Sequence, residues 1–391
     1  MYPVLKLHKN LAAALRGGHP WVYREALCPF APLPSGQVVD IHDRTGCFVA
    51  RGVYDASSPI AVRVFTLDPG EEVDEALLGR RLAAALRSRQ GLLDLRTTSA
   101  FRLCNGEGDF LPGIVLDVYA EVAVLRLEGE GARALRAPLC RALMPLLEDI
   151  GVRTLYERSP DLPGQLLHGP PPPAEVVVRE HGVLLAVDIV CGQKTGLFLD
   201  QRESRLLVRQ VARGLTVWNG FCYTGGFSLQ AALGGARSVV SVDTAEPALA
   251  AARRNFTLNN LPLDPQRFPF LCEDVFAHLR RGAAMGLTYD LVIVDPPSFA
   301  PSQAALLRAL PAYQKLLALA MGAVSAGGLL AASSCSSHVS LEAFLTVIGQ
   351  AASRCRRRCR LLEVRGQPAD HPSLPLFPEG RYLKFVLCRL D

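Results

Sequence analysis

Four residues of chemically able type recur at equivalent places in the second half of the sequence. Asp243, Asp274, Asp295 and Cys335 each stand at or just beyond the end of a short apolar run, at residues 238–242, 268–272, 289–294 and 328–333. Apolar runs of this length, bounded by turn residues, read as buried strands. Ligands of open α/β sheets lie beyond the carboxyl ends of the strands. Four such groups at four successive tips therefore point to one site. An acid at a strand tip can accept both hydroxyls of a ribose, which suits Asp243, and Asp274 can accept from an adenine amino group. Each is otherwise an ordinary capping acid. Asp295 precedes Pro296 and Pro297, and proline fixes its own φ and keeps the preceding residue out of the helical region. The result is a rigid turn presenting an acid and two carbonyls, to which a planar base amino group can donate. Cys335 lies in a serine-rich turn. A thiolate there is a nucleophile if a helix N-terminus or a cation favours it; the alternative is a small, inert hydrophobe.

The elements that must position these groups are organised around residues 215–243. Residues 215–218 read as a strand. The turn Asn219-Gly220-Phe221-Cys222-Tyr223-Thr224-Gly225-Gly226 follows, then a helix over 227–233 stopped by Gly234 and Gly235, then the strand ending on Asp243. This is half of a nucleotide-binding βαβ unit. The G-x-G-x-x-G spacing that seats a pyrophosphate is absent, so the pattern points to an adenosine ligand without one; a tight turn with no ligand is the alternative. Upstream, residues 192–202 (GQKTGLFLDQR) place polar groups beside Phe198 ahead of the glycine turn. That suits a lid over the ligand, and equally a capped helix start. Downstream, helices are expected over 247–258, 303–323 and 341–354, and final strands near 361–364 and 382–388. Seven strands alternating with helices give a mostly parallel sheet covered on both faces.

The first part of the chain is different. Short strands at 3–9, 37–41, 47–53 and 60–66 with glycine turns make a small β module, with a helix over 11–15 capped by Asn10. Trp21 reads as core packing. A helix over 71–89, a hairpin over 113–127, a helix over 133–147 and a strand over 154–158 make a second, α+β unit. The run Gly-Pro-Pro-Pro-Pro at 169–173 is a stiff linker or exposed loop, and 176–190 is a hairpin. The expected domains are 1–70, 71–173 and 174–391, the last including the hairpin region 174–190.

The chain has 391 residues, is 49% hydrophobic and 20% charged, and carries a net charge of +5, which describes a folded multidomain protein and excludes a disordered one. The mild basicity is compatible with a polyanion partner. Eleven cysteines without a tight framework of spacings read as free thiols in a reducing compartment. No run approaches the ~18 apolar residues of a membrane span, and residues 1–10 hold no apolar signal core; the expected location is the cytoplasm, with no membrane partner. No metal is expected: Cys355 and Cys359 lack a second ligand pair and enclose three arginines. The arginines of 354–360 are better suited to RNA phosphate. Arg80, Arg81, Arg87 and Arg89 are open to a phosphate role or a solvated helix face.

These motifs together resemble the RlmI-type family, class I S-adenosylmethionine-dependent RNA cytosine-5 methyltransferases with an N-terminal PUA domain. Residues 18–22 (GHPWV) look like the PUA opening, GQKTGLFLDQR the lid motif, residues 219–227 (NGFCYTGGF) the cofactor loop, 295–299 (DPPSF) motif IV, 334–336 (SCS) motif VI and 377–384 (FPEGRYLK) the C-terminal signature. The resemblance covers nearly the whole chain. Asn219 departs from the wider methyltransferase pattern, where an acid is common. The resemblance implies a Rossmann-like class I methyltransferase domain with a seven-stranded, mostly parallel sheet, preceded by a β-rich PUA domain and a small α+β central domain. It implies S-adenosylmethionine as cofactor, contacted by Phe198, Asp200, Gln201, Arg202, Asn219, Phe221, Tyr223, Thr224, Gly225, Asp243, Asp274 and Asp295. It implies catalysis by Cys335 and Asp295, and base contacts from Pro296, Pro297 and Phe299. The expected partner is RNA, ribosomal RNA first, and the resemblance leaves room for a homodimer. Related methyltransferases with a DPP motif modify guanine or adenine nitrogens and need no cysteine; a catalytically silent RNA-binding protein and, more remotely, a dehydrogenase are the other readings.

Overall fold

The computed structural model describes residues 2–159, 162–300 and 302–391. They divide into two compact units. The first comprises Met1–Glu180, Val187–Leu199 and Ala369–Gly380; the second comprises His181–Ala186, Asp200–Pro368 and Arg381–Asp391. The chain crosses between them within a two-stranded ribbon, Val176–Glu180 and Val183–Val187.

The first unit holds two five-stranded sheets. One runs in the order Val4–Lys6, Val38–His42, Phe48–Tyr54, Ile60–Thr66, Trp21–Tyr23, closed over Leu5, Val22, Val39, Ile41 and Val62. The other runs Leu162–His168, Thr154–Ser159, Val122–Leu127, Ile114–Tyr119, Ala100–Asn105. Helices Glu75–Leu92 and Arg136–Asp149 supply leucines 78, 82, 139 and 143 to its core. Three local expectations need correction. The first helix, Ala12–Arg16, has Leu11 at its N-cap and no side-chain cap, because Asn10 stands one residue too early. The helix expected from 71 starts at Glu75, because the Asp74 carboxylate accepts from Leu77 N at 2.9 Å and fixes the start there. The helix expected over 133–147 is two helices, Gly129–Ala134 and Arg136–Asp149.

Arg89 is also reassigned. It is fully buried and spent on the protein itself: Nη1 and Nη2 grip Asp109 at 2.6 and 2.7 Å, Nε donates to the Arg102 carbonyl and Nη2 to the Asp370 carbonyl. The Arg102 amide in turn donates to the Asp370 carboxylate. Residues 369–380 thus belong to the first unit through buried polar contacts.

The second unit is built on one seven-stranded sheet. Its elements, in chain order, are α1 (Arg202–Val211), β1 (Thr216–Gly220), α2 (Gly226–Leu233), β2 (Ser238–Asp243), α3 (Glu246–Leu258), β3 (Phe270–Cys272), α4 (Val275–Ala284), β4 (Tyr289–Val294), α5 (Leu306–Gly322), β5 (Val324–Ser334), α6 (Leu341–Arg354), β6 (Cys359–Arg365) and β7 (Lys384–Leu390). The strand order is β3-β2-β1-β4-β5-β7-β6. The first five pair in parallel, and β7 is antiparallel to both β5 and β6. Trp218, Val292, Leu330, Tyr313, Phe344 and Val386 meet in its core. Asp290, the one polar break in β4, accepts from the Thr216 amide and hydroxyl at 2.9 and 2.8 Å. The arginine cluster after α6 is partly structural. Arg357 donates to the carbonyls of Met321, Val324, Ser325 and Leu390, and Arg360 pairs with Asp391. Arg357 is thereby spent on the protein itself, whereas Arg360 stays largely exposed.

Removing one partner of a buried ion pair strands the other. Arg89→Met should therefore cost about 3–5 kcal/mol of unfolding free energy, read from denaturant unfolding of the full chain; a loss below about 1 kcal/mol would show that Asp109 finds another partner.

Candidate active site

The glycine turn between β1 and α2 is held in an unusual backbone state. Phe221, Tyr223 and Gly225 all have left-handed φ, at 59°, 48° and 76°, which costs free energy at the two non-glycine positions. Neighbours over-determine it. The Tyr223 amide donates to Asp243 Oδ2 at 2.8 Å, the Cys222 amide to the Val242 carbonyl, and Asn255 Nδ2 to the Thr224 carbonyl at 2.8 Å. A Cβ on Gly225 would stand 2.8 Å from the Ala252 Cβ, so glycine lets the turn lie flat on α3. Asn255 is fully buried and was not legible as a supporting residue, since nothing local marks an asparagine in a helix as the prop of a turn 31 positions earlier.

Asp243, half-buried, also accepts from the Ala245 amide at 3.0 Å. Each carboxylate oxygen keeps lone-pair capacity beyond one bond. Asp274 is exposed and caps α4 by accepting from the Ala277 amide at 2.8 Å. Asn219 is buried; its Nδ2 donates to Ser228 Oγ at 2.9 Å, which in turn accepts from Ser241 Oγ.

The residue before α1 ties two of the strand tips together. Gln201 is 2% exposed, and its Nε2 donates to Asp295 Oδ1 at 2.9 Å and to Ser333 Oγ at 3.2 Å. One amide thereby links the end of β4 to the end of β5. Asp200 is buried and accepts from the Tyr382 hydroxyl at 2.8 Å. Arg202, wholly buried, pairs with Glu203. Phe198 belongs to the first unit, where the Lys194 ammonium stands 4.5 Å from its ring centre.

Cys335 is half-buried just past β5, and the hydroxyls on either side of it, those of Ser334 and Ser336, are both engaged. Ser334 Oγ donates to the Tyr313 hydroxyl at 3.0 Å. Ser336 Oγ shares a hydrogen with Ser298 Oγ at 2.7 Å and accepts from the Ala300 amide. Phe299 packs on Tyr313 with ring centres 4.7 Å apart. Pro296 is buried and Pro297 exposed. The loop after β4 and the turn after β5 therefore form one hydrogen-bonded corner. Lys384, the first residue of β7, lies opposite Ser334 and donates to the carbonyls of Ser336 and Tyr382. In the sequence it stood in a C-terminal run without a role; only the insertion of β7 beside β5 brings it here. By contrast, burial pushes the thiols of Cys104 and Cys222 well up, so they stay protonated.

The corner and the turn are rich in acceptors. Besides the carboxylates, Gln201 Oε1 and Asn219 Oδ1 are buried and receive no hydrogen bond from any described residue. That set fits a ligand that presents donors: an ammonium group, ribose hydroxyls and an exocyclic amine. Gly225→Ala adds a Cβ at positive φ against Ala252, so it should destabilise the full chain by about 1–3 kcal/mol, read as a lower Tm; an unchanged Tm would mean that α3 yields freely.

Comparison with known proteins agrees with this geometry. Residues 152–372 match the profile of a family described as S-adenosylmethionine-dependent methyltransferase, and residues 5–67 that of a PUA-like domain. The chain is 38% identical over 396 aligned residues to the ribosomal RNA large subunit methyltransferase I of Escherichia coli O139:H28, covering 99% of each. It is 37% identical to the protein of that name from Klebsiella pneumoniae, covering 100% of this chain and 99% of the relative. Among solved structures, a Streptococcus mutans chain provisionally assigned as a SAM-dependent methyltransferase superposes with a TM-score of 0.88 at 24% identity, covering 99% of this chain and all of the other. A provisionally assigned methyltransferase solved with SAH gives 0.88 and 24%, covering 99% of each. The turn, the acceptor set and these matches have one conclusion: the chain belongs to the S-adenosylmethionine-dependent methyltransferase family and carries a PUA-like domain at its N-terminal end.

Proposed function

We propose that this protein methylates large-subunit ribosomal RNA, that the product is 5-methylcytidine, and that Cys335 forms a transient bond to C6 of the target cytosine. The RNA assignment rests on the relatives covered along nearly their whole length, which are ribosomal RNA large subunit methyltransferases. The observation that carries the chemistry is that the half-buried Cys335 and the Asp295 carboxylate held by Gln201 stand on two loops joined in one hydrogen-bonded corner.

Cytosine C5 is a weak nucleophile. The Cys335 sulfur adds to C6, an S–C6 bond forms, and the C5=C6 π pair moves to C5. Asp295, fixed by Gln201, holds the base edge at N3 or the exocyclic amine, and a proton shared between its carboxyl group and N3 stabilises the negative charge that develops in the ring. S-adenosylmethionine, when bound, would supply the electrophilic methyl group that C5 accepts, its S–CH3 bond breaking to leave S-adenosylhomocysteine. A general base then takes the C5 proton, the C5=C6 bond re-forms and the S–C6 bond breaks, returning the thiolate. Asp243 would hold the ribose, Asp274 the adenine amine, and the buried Gln201 and Asn219 oxygens would accept from the cofactor; Pro296, Pro297 and Phe299 would frame the target base. The base must be unpaired or flipped out to enter. Domains at 1–70 and 71–173 would grip RNA, leaving the transfer to 174–391.

The test is transfer of labelled methyl groups to ribosomal RNA lacking native modification, followed by nucleoside analysis. Wild type should yield 5-methylcytidine, and Cys335→Ala should lose on the order of 10³ or more of that rate. A methylated guanine or adenine nitrogen, made equally by both proteins, would overturn the cysteine mechanism and turn the Asp295-Pro296-Pro297 edge into the main base-recognising element.

A further inference from the structure

We infer that Lys384 is the counter-cation that holds Cys335 as a thiolate, a positioning residue for the nucleophile. The inference rests on the reading of Cys335 as nucleophile and is argued from this corner alone. Lys384 is 4% exposed. An ammonium has three donors, and two of them reach carbonyls, those of Ser336 and Tyr382. No described carboxylate forms a salt bridge with it. Buried charges need a compensating charge or shed their proton. The Ser336 carbonyl belongs to the residue after Cys335, and Ser334, the residue before it, is the register partner of Lys384. The ammonium is therefore clamped beside the turn that presents the sulfur.

The other ionisable groups of the corner have partners of their own. Gln201 donates to Asp295, Tyr382 donates to Asp200, and Tyr313 accepts from Ser334. On the neighbouring β6, Arg365 faces Glu363 and the Glu203 carbonyl. Burial pulls Lys384 down to about 8, and the negative charge of Cys335 acts in the opposite sense. The sign is consistent. Below about pH 8 the ammonium persists and favours the thiolate; above it the lysine loses its proton and the pairing ends.

The experiment measures alkylation of full-length protein by iodoacetamide from about pH 6 to 9, following the Cys335 peptide by mass spectrometry. The exposed thiols Cys47 and Cys272 serve as internal references. Lys384→Gln keeps an N–H donor for the carbonyls and removes the charge. It should slow Cys335 alkylation near pH 7 about tenfold and move its half-maximal pH upward by about one unit, with the reference peptides unchanged. Lys384→Arg keeps the charge and should hold the wild-type profile. If Lys384→Gln alkylates like wild type, or if both variants slow it equally at every pH, the lysine only supports the turn and the inference fails. A shifted profile in a protein that makes no 5-methylcytidine would sink the product assignment and leave the ion pair standing.

Discussion

One buried carboxamide sets the geometry on which the site depends. Gln201 uses both hydrogens of Nε2 to join Asp295 and Ser333, the groups that end β4 and β5. Adjacent strand tips in a parallel sheet diverge as their loops leave in different directions. A two-pronged donor between them removes that freedom, and a buried amide cannot release either partner without leaving a polar group unsatisfied. The Ser298–Ser336 bond makes the same link a few residues further along the two loops. The acid and the thiol-bearing turn are thus held in one frame before any ligand arrives, which is the condition for electrostatic stabilisation without reorganisation at the moment of reaction.

The glycine turn obeys the same logic with other means. Two non-glycine residues in left-handed conformation are tolerable only because Asp243 and Asn255 take up the backbone groups that the turn exposes. Asp243 therefore has a structural duty beside any ligand contact. Its position at the tip of β2 is what local pattern could reveal; its bond to a backbone amide 20 positions earlier is not a local property.

That contrast explains what could be read from the chain alone. The strand at 289–294 and the helix at 341–354 were legible to the residue, since each is a long apolar pattern with turn or cap residues at both ends. Local pattern starts strand β5 four residues late and ends it one early, because Gly327 and Gly328 mark a turn locally while the strand runs on through them against the start of β4. Strands Ala100–Asn105 and Leu162–His168 went unread: the first contains Arg102, paired with a buried Asp117, and the second carries one proline, a glycine and a histidine on an exposed edge. Of the candidate site, the strand-tip positions of Asp243, Asp274, Asp295 and Cys335 were legible from the apolar runs before them, while Ser333 was hidden inside its run. Tyr382 and Lys384 stood in the C-terminal signature without a role, and the parts played by Tyr313 and Asn255 were not legible, because all four reach the site by topology.

The position of β7 bears on when the corner can exist. It follows every other strand in sequence, yet it is inserted between β5 and β6, and its first residue is the lysine beside the thiol-bearing turn. On a translating ribosome, folding proceeds as segments emerge. The parallel half of the sheet and the glycine turn can assemble early, whereas the thiol gains its neighbouring charge only after residues 384–390 have left the exit tunnel. Nascent chains would then carry the glycine turn and the parallel half of the sheet before the lysine joins the thiol-bearing turn, so this corner is completed after its neighbours.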